Sequence, residues 1–76
     1  MNKERRKRLD EAKVSLETAM EIMQEVLDEE QEAFDNMPEG LQNGERGEQM
    51  QEYIDTLETQ VSAVEEAISE IENIIG

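Results

Sequence analysis

Eight apolar residues in the second half of the chain, Met50, Ile54, Leu57, Val61, Val64, Ile68, Ile71 and Ile75, follow one another at spacings of four, three, four, three, four, three and four. Only an α-helix gathers such positions on one side, because its 3.6-residue turn returns to the same face after three or four residues. A stripe with no misses over this length is also the pattern by which one helix lies along another. Glu52, Asp55, Glu58, Glu65, Glu66, Glu70 and Glu72 fall between the stripe positions and supply a solvated side. The pattern predicts a helix over about 45–75, ending before Gly76.

The first half carries a broader stripe: Leu9, Ala12, Leu16, Ala19, Met20, Met23, Val26, Leu27, Ala33 and Phe34. Two adjacent registers are filled, one through Ala12, Ala19 and Val26, the other through Met20, Leu27 and Phe34. A face this wide can touch more than one neighbouring helix. Glu30 places a carboxylate where the stripe calls for an apolar residue, and Val14 and Ile22 lie off it, either exposed or facing a further protomer. A first helix is predicted over about 4–35.

Between the two stripes the segment from Asp35 to Gly47 holds the only Pro and three of the four Gly. Pro38 disfavours helix at Met37 and removes a backbone donor, while Gly40 and Gly44 permit positive φ. A corner over 36–44 follows, with Asn43 as N-cap of the second helix, Glu45 in its first turn, and a short extra turn returning Leu41 to the core as a plug. The fold class is therefore all-α: one domain over 1–76, an antiparallel hairpin of two helices, each roughly 30 residues and about 45 Å long.

Folding at Leu41 brings the start of the first helix beside the end of the second. Net charge is -14, yet six of the seven cations, Lys3, Arg5, Arg6, Lys7, Arg8 and Lys13, lie in the first thirteen positions. The hairpin sets them near Glu66, Glu70 and Glu72, offsetting the unfavourable placement of cations at a helix N-terminus. Glu30 is expected opposite Tyr53, whose hydroxyl can satisfy its carboxylate. Seventy-six residues make a small core, and with no Cys or His neither disulfides nor the usual transition-metal sites can reinforce it. Self-association into a four-helix bundle, as a homodimer or higher assembly, is the remaining common solution.

The composition also excludes chemistries. Without His or Cys no nucleophile and base can be paired, and Gly40, Gly44 and Gly47 fit neither a P-loop nor a dinucleotide fingerprint. No enzyme activity and no cofactor is expected. Asp28, Glu29, Glu30, Glu32 and Asp35 are the densest acidic group, but they lack the alternate spacing around a central Gly that a calcium loop needs. No apolar run approaches the roughly 20 residues that cross a bilayer, and the lack of Cys fits a reducing cytoplasm. From Val14 onward the chain is a polyanion with Arg46 as its only cation, which argues against binding a nucleic-acid backbone.

Three surfaces remain as candidates. Lys3, Arg5, Arg6 and Arg8 either balance the acidic helix end or bind phosphate; no aromatic residue accompanies them for base stacking, so a small anion such as a nucleotide, held by an oligomeric sponge, suits their size. Glu17, Glu21, Glu25, Asp28 and Glu32 run along one side at helical spacing, as the phosphates of DNA would be imitated and as the outer face of any acidic bundle would read. The corner residues Asn36, Glu39, Leu41 and Arg46 exceed the needs of a simple connection. They either close the bundle end, with Arg46 anchored to Asp35 or Glu39, or contact a partner protein.

The string from Asp28 to Gln42, DEEQEAFDNMPEGLQ, followed by Glu45-Arg46-Gly47-Glu48, resembles small uncharacterised helical-hairpin proteins of bacteriophage and bacterial genomes. The resemblance implies a small intracellular accessory factor and supplies no activity, ligand or catalytic residue. Read together, the residues point to a binding or inhibitory module, with the anion sponge and the DNA mimic as alternatives.

Overall fold

A computed structural model describes all 76 residues, and nearly all of them are helical. Helix α1 spans Lys3–Asp35, a single-turn helix α2 spans Glu39–Gln42, and α3 spans Glu45–Ile75. No strand is present. The molecule is a rod of 58 × 14 × 14 Å in which α1 and α3 lie against one another. Lys13, in the third turn of α1, meets Glu72 in the last turn of α3, and Phe34 meets Gln42 at the other end of the rod.

The first helix starts at Lys3, one residue before the expected bound of about 4, because Asn2 caps it. The Asn2 side chain accepts a hydrogen bond from the Arg5 amide at 2.8 Å, satisfying a donor that has no partner inside the helix. Along its surface α1 is stitched by Gln24 to Asp28 and Gln31 to Asp35, each at 3.0 Å, and Gln51 to Asp55 does the same on α3. These are the neighbour pairs of helix geometry, one turn apart.

The seam between the long helices is small. Leu27, Ile54, Val61 and Ile68 are the buried hydrophobic residues, with Ile54 only 1% exposed. Leu9, Leu16, Met20, Met23 and Phe34 on α1 and Met50, Leu57, Val64, Ile71 and Ile75 on α3 are half-buried around them. Lys13 and Glu30 are also half-buried, and they continue the α1 seam at the same three-and-four spacing. On α3 the seam extends one step before Met50, to Gly47, which is buried.

Gly47 is where the corner closes. A Cβ at this position would overlap the Gln42 carbonyl oxygen and lie 2.7 Å from Gln42 Cα, so the backbone of α2 rests directly on the first turn of α3. Several corner expectations are corrected accordingly. Leu41 is exposed and is not a plug: Gln42 turns inward and donates from Nε2 to the Phe34 carbonyl at 2.9 Å, and Leu41, about 100° round the same turn, points outward. Asn43 does not cap α3. It ends α2 with helical φ and ψ of -85° and -4°, whereas an N-cap needs extended backbone, and Gly44 supplies that at -87° and -179° without any side-chain bond. No residue adopts positive φ, so neither Gly40 nor Gly44 uses the freedom the sequence allows.

Replacing Gly47 by Ala is expected to lower the melting temperature by well over 5 °C, since backbone must move to admit the methyl group. Gly40→Ala, which meets nothing within 4 Å in a helical turn, is expected to leave it unchanged or raise it slightly. Thermal unfolding followed by circular dichroism compares the two.

Candidate functional site

Of the six cations expected to balance the acidic helix end, only Lys13 meets one of its acids, Glu72. With Lys13 opposite Glu72, the turns that carry Lys3, Arg5, Arg6, Lys7 and Arg8 run past the last turn of α3, and Glu66 and Glu70 lie alongside later turns of α1. Only Lys13 makes ion pairs, at 3.7 Å to Glu72 and 3.9 Å to Asp10. Its own side chain is mostly buried while both carboxylates are largely exposed, so its stem fills the seam and its ammonium reaches the edge. Arg5 and Arg8 line an open groove with Met1 and Leu9; Lys3 and Arg6 are exposed and do not belong to it.

At the other end, Asn36, Glu39, Leu41 and Arg46 are all exposed. Arg46 is not anchored to Asp35 or Glu39. It lies in an open, wholly polar groove among Glu45, Glu48, Gln49 and Glu52, and Asp35 is taken by Gln31. Leu41 thus stands as an exposed apolar residue at the tip of the rod.

Midway along, Val26, Glu30, Tyr53, Thr56 and Leu57 line one shallow groove. Glu30 and Tyr53 line the same groove, as the sequence suggests, but no hydrogen bond joins them, and Tyr53 is half exposed. Glu30 keeps enough contact with water at this open site that it needs no such partner.

This groove also orients the two helices about their long axes. Val26 and Tyr53 sit on the same side of the seam, so residues at seven-residue steps from each follow them. That places Ala12, Ala19, Val26 and Ala33 of α1 beside Tyr53, Gln60, Ala67 and Ile74 of α3, two rows whose only charges are Arg5 and Arg46 at their starts, with the half-buried Glu30 at the seam between them, in a chain of net charge -14. Val26, Tyr53 and Ile74 are about half exposed on it, as is Ile22 at its margin. The opposite side carries Asp10 and Glu17 of α1 and Glu58, Glu65 and Glu72 of α3, all exposed. Glu21, Glu25, Asp28 and Glu32 continue the acidic rows around α1. Acidic residues do not converge: no three of them gather closely enough to hold a metal ion.

Comparison with protein-family models, with curated proteins and with solved structures found no match. No helix is long and apolar enough to cross a membrane.

Asn2, Gln42 and Gly47 take roles that the sequence reading did not assign, and Lys13 adds a place in the seam to its expected pairing with Glu72. Two of them had a signal: Lys13 stands four residues after Leu9 and three before Leu16, and Gly47 three before Met50, so both continue a stripe already visible. Glu30 occupies a seam position without a polar partner, and Glu30→Leu is expected to stabilise the protein by about 1 kcal/mol, raising the melting temperature by roughly 4–8 °C. Tyr53→Phe, which removes a hydroxyl that bonds to nothing in the chain, should leave it unchanged; a fall would show that the hydroxyl has a partner.

Proposed function

We propose that the protein is a non-enzymatic antiparallel helical hairpin that self-associates through its charge-poor face into a four-helix bundle. In this reading it acts as a protein-binding or inhibitory module in the cytoplasm, an accessory factor of the kind phages and mobile elements carry. The observation that carries the reading is the partition of charge between the two broad faces: one has only the half-buried Glu30 at its seam and Arg5 and Arg46 at its ends, the other has Asp10, Glu17, Glu58, Glu65 and Glu72. A face so poor in charge costs little to remove from water, and most of the acids stay outward when it is covered.

Surface area supports the same reading. A compact protein of 8.8 kDa exposes about 4,800 Å². This chain exposes 5767 Å². The surplus, about 1,000 Å², matches what one partner contributes to a standard interface, about 800 Å². Four buried hydrophobic residues are a thin core for a lone domain, and a second copy doubles the number of helices that share it.

Assembly leaves two surfaces for another protein. The acidic rows attract basic partners at a distance. The tip offers Leu41 as an apolar anchor, and Asn36, Glu39 and Arg46 in and next to the corner are exposed and take part in no intramolecular ion pair. A single apolar anchor ringed by polar groups is a common form of contact site.

Sedimentation equilibrium at micromolar concentration is expected to give a dimer or higher assembly. Val26→Glu should shift it to monomer by burying a charge, whereas Glu58→Gln on the acidic face should not. A well-folded monomer of the unaltered protein would overturn the reading. For the tip, combined Glu39→Ala and Arg46→Ala should keep the melting temperature within about 1–2 °C, because surface changes of this kind cost little, and should abolish capture of a partner from a host lysate. A large loss of stability would instead make the corner a structural element.

A further inference from the structure

We infer that the second copy lies head to tail, with α1 of one hairpin packed antiparallel on α1 of the other and each basic end beside the partner's corner. This rests on the self-association proposed above and specifies its geometry.

Two hairpins that share one face can be related by a two-fold axis along the rod or across it. An axis along the rod sets like ends together and lays α1 on the partner's α3. An axis across it sets unlike ends together and lays α1 on α1 and α3 on α3. The ends of this rod differ sharply. One carries Lys3, Arg5, Arg6, Lys7 and Arg8, none of which has a carboxylate within 4 Å in its own chain. The other carries five acids between Asp28 and Asp35, joined by Glu45, Glu48 and Glu52 on α3, with Arg46 as the single opposing charge.

Charge therefore separates the two arrangements. The axis along the rod doubles each like-charged cluster; the axis across it sets the cations of each chain against the acids of the other. Charges flanking a helix seam choose between orientations in this way even when each pair contributes little alone.

The shapes on the face agree. Ala12, Ala19, Val26 and Ala33 recur every seven residues, and three of the four are alanines, so two copies of α1 can approach closely. With the axis at Ala19, Ala12 faces the partner's Val26, a small residue against a larger one. The segment 3–8 then runs beside residues 30–35 of the partner, and on the shared side this sets Arg5 and Arg8 near the partner's Glu29 and Glu30. The register set by Lys13 with Glu72 and by Val26 with Leu57 puts Ala67 of α3 within about one turn of the level of Ala19, so small residues lie near the axis on both helices.

Cysteine cross-linking tests the arrangement, and the chain has no Cys to confuse it. Ala19→Cys should become a disulfide-linked dimer on mild oxidation, since a residue on the axis meets its own copy and a disulfide requires Cβ atoms about 4 Å apart. Equal parts of Ala19→Cys and Ala67→Cys report the alternative, because an axis along the rod lays Ala19 on the partner's Ala67. The expected result is near-complete linkage of Ala19→Cys with itself and at least tenfold less of the mixed species. A protein that sediments as a dimer while Ala19→Cys stays unlinked overturns the head-to-tail arrangement and leaves the self-association standing, whether or not the mixture links. A monomer in sedimentation overturns both.

Discussion

Apolar contact along one seam holds α1 and α3 together, and it is almost free of directional interactions. Each long helix satisfies its own backbone internally, so nothing in its hydrogen bonding calls for the other. What joins them is the removal of Leu27, Ile54, Val61, Ile68 and their half-buried neighbours from water, each full burial contributing about 1.5–3 kcal/mol. The rest of the molecule depends on this strip. Its position on each helix decides which residues become the flanks, and the flanks decide where charge is presented and where it is missing.

A seam of this kind is legible in a sequence because it is periodic. The α3 stripe read from Met50 to Ile75 is the α3 seam, and of the two registers on α1 the one through Met20, Leu27 and Phe34 faces α3. The register through Ala12, Ala19 and Val26 stays exposed. Which register would win was not decided by the sequence, since both are apolar; the larger side chains bury more area and take the seam.

The corner resisted the same reading for a physical reason. A helix of one turn has no period to reveal its phase, and a one-residue change there rotates a side chain by about 100°. Leu41 and Gln42 differ by that single step, and the step makes one an exposed tip and the other the inward hydrogen-bonding residue. Asn43 lost its expected cap role for the same reason, because α2 runs on far enough to claim it. The basic segment was misplaced by register: two turns of offset between α1 and α3 carry five cations past the acids that seemed designed for them. Charge composition names the ions in a chain but not their neighbours, and neighbours are set by where the seam begins.

The two ends of the seam are fastened unequally. At the corner, Gln42 bonds to the Phe34 carbonyl and the α2 backbone sits on Gly47, contacts that leave no slack. At the far end the half-buried Leu9, Leu16, Ile71 and Ile75 continue the seam, and one ion pair of 3.7 Å joins Lys13 to Glu72 at its edge, with the carboxylate half in solvent. Such a pair weakens as salt rises, since ions in solution shield it over about 8–10 Å. The corner is thus a joint in which backbone meets backbone, whereas the far end is closed by side chains alone, and ionic strength adjusts only the small part of that closure that the ion pair supplies.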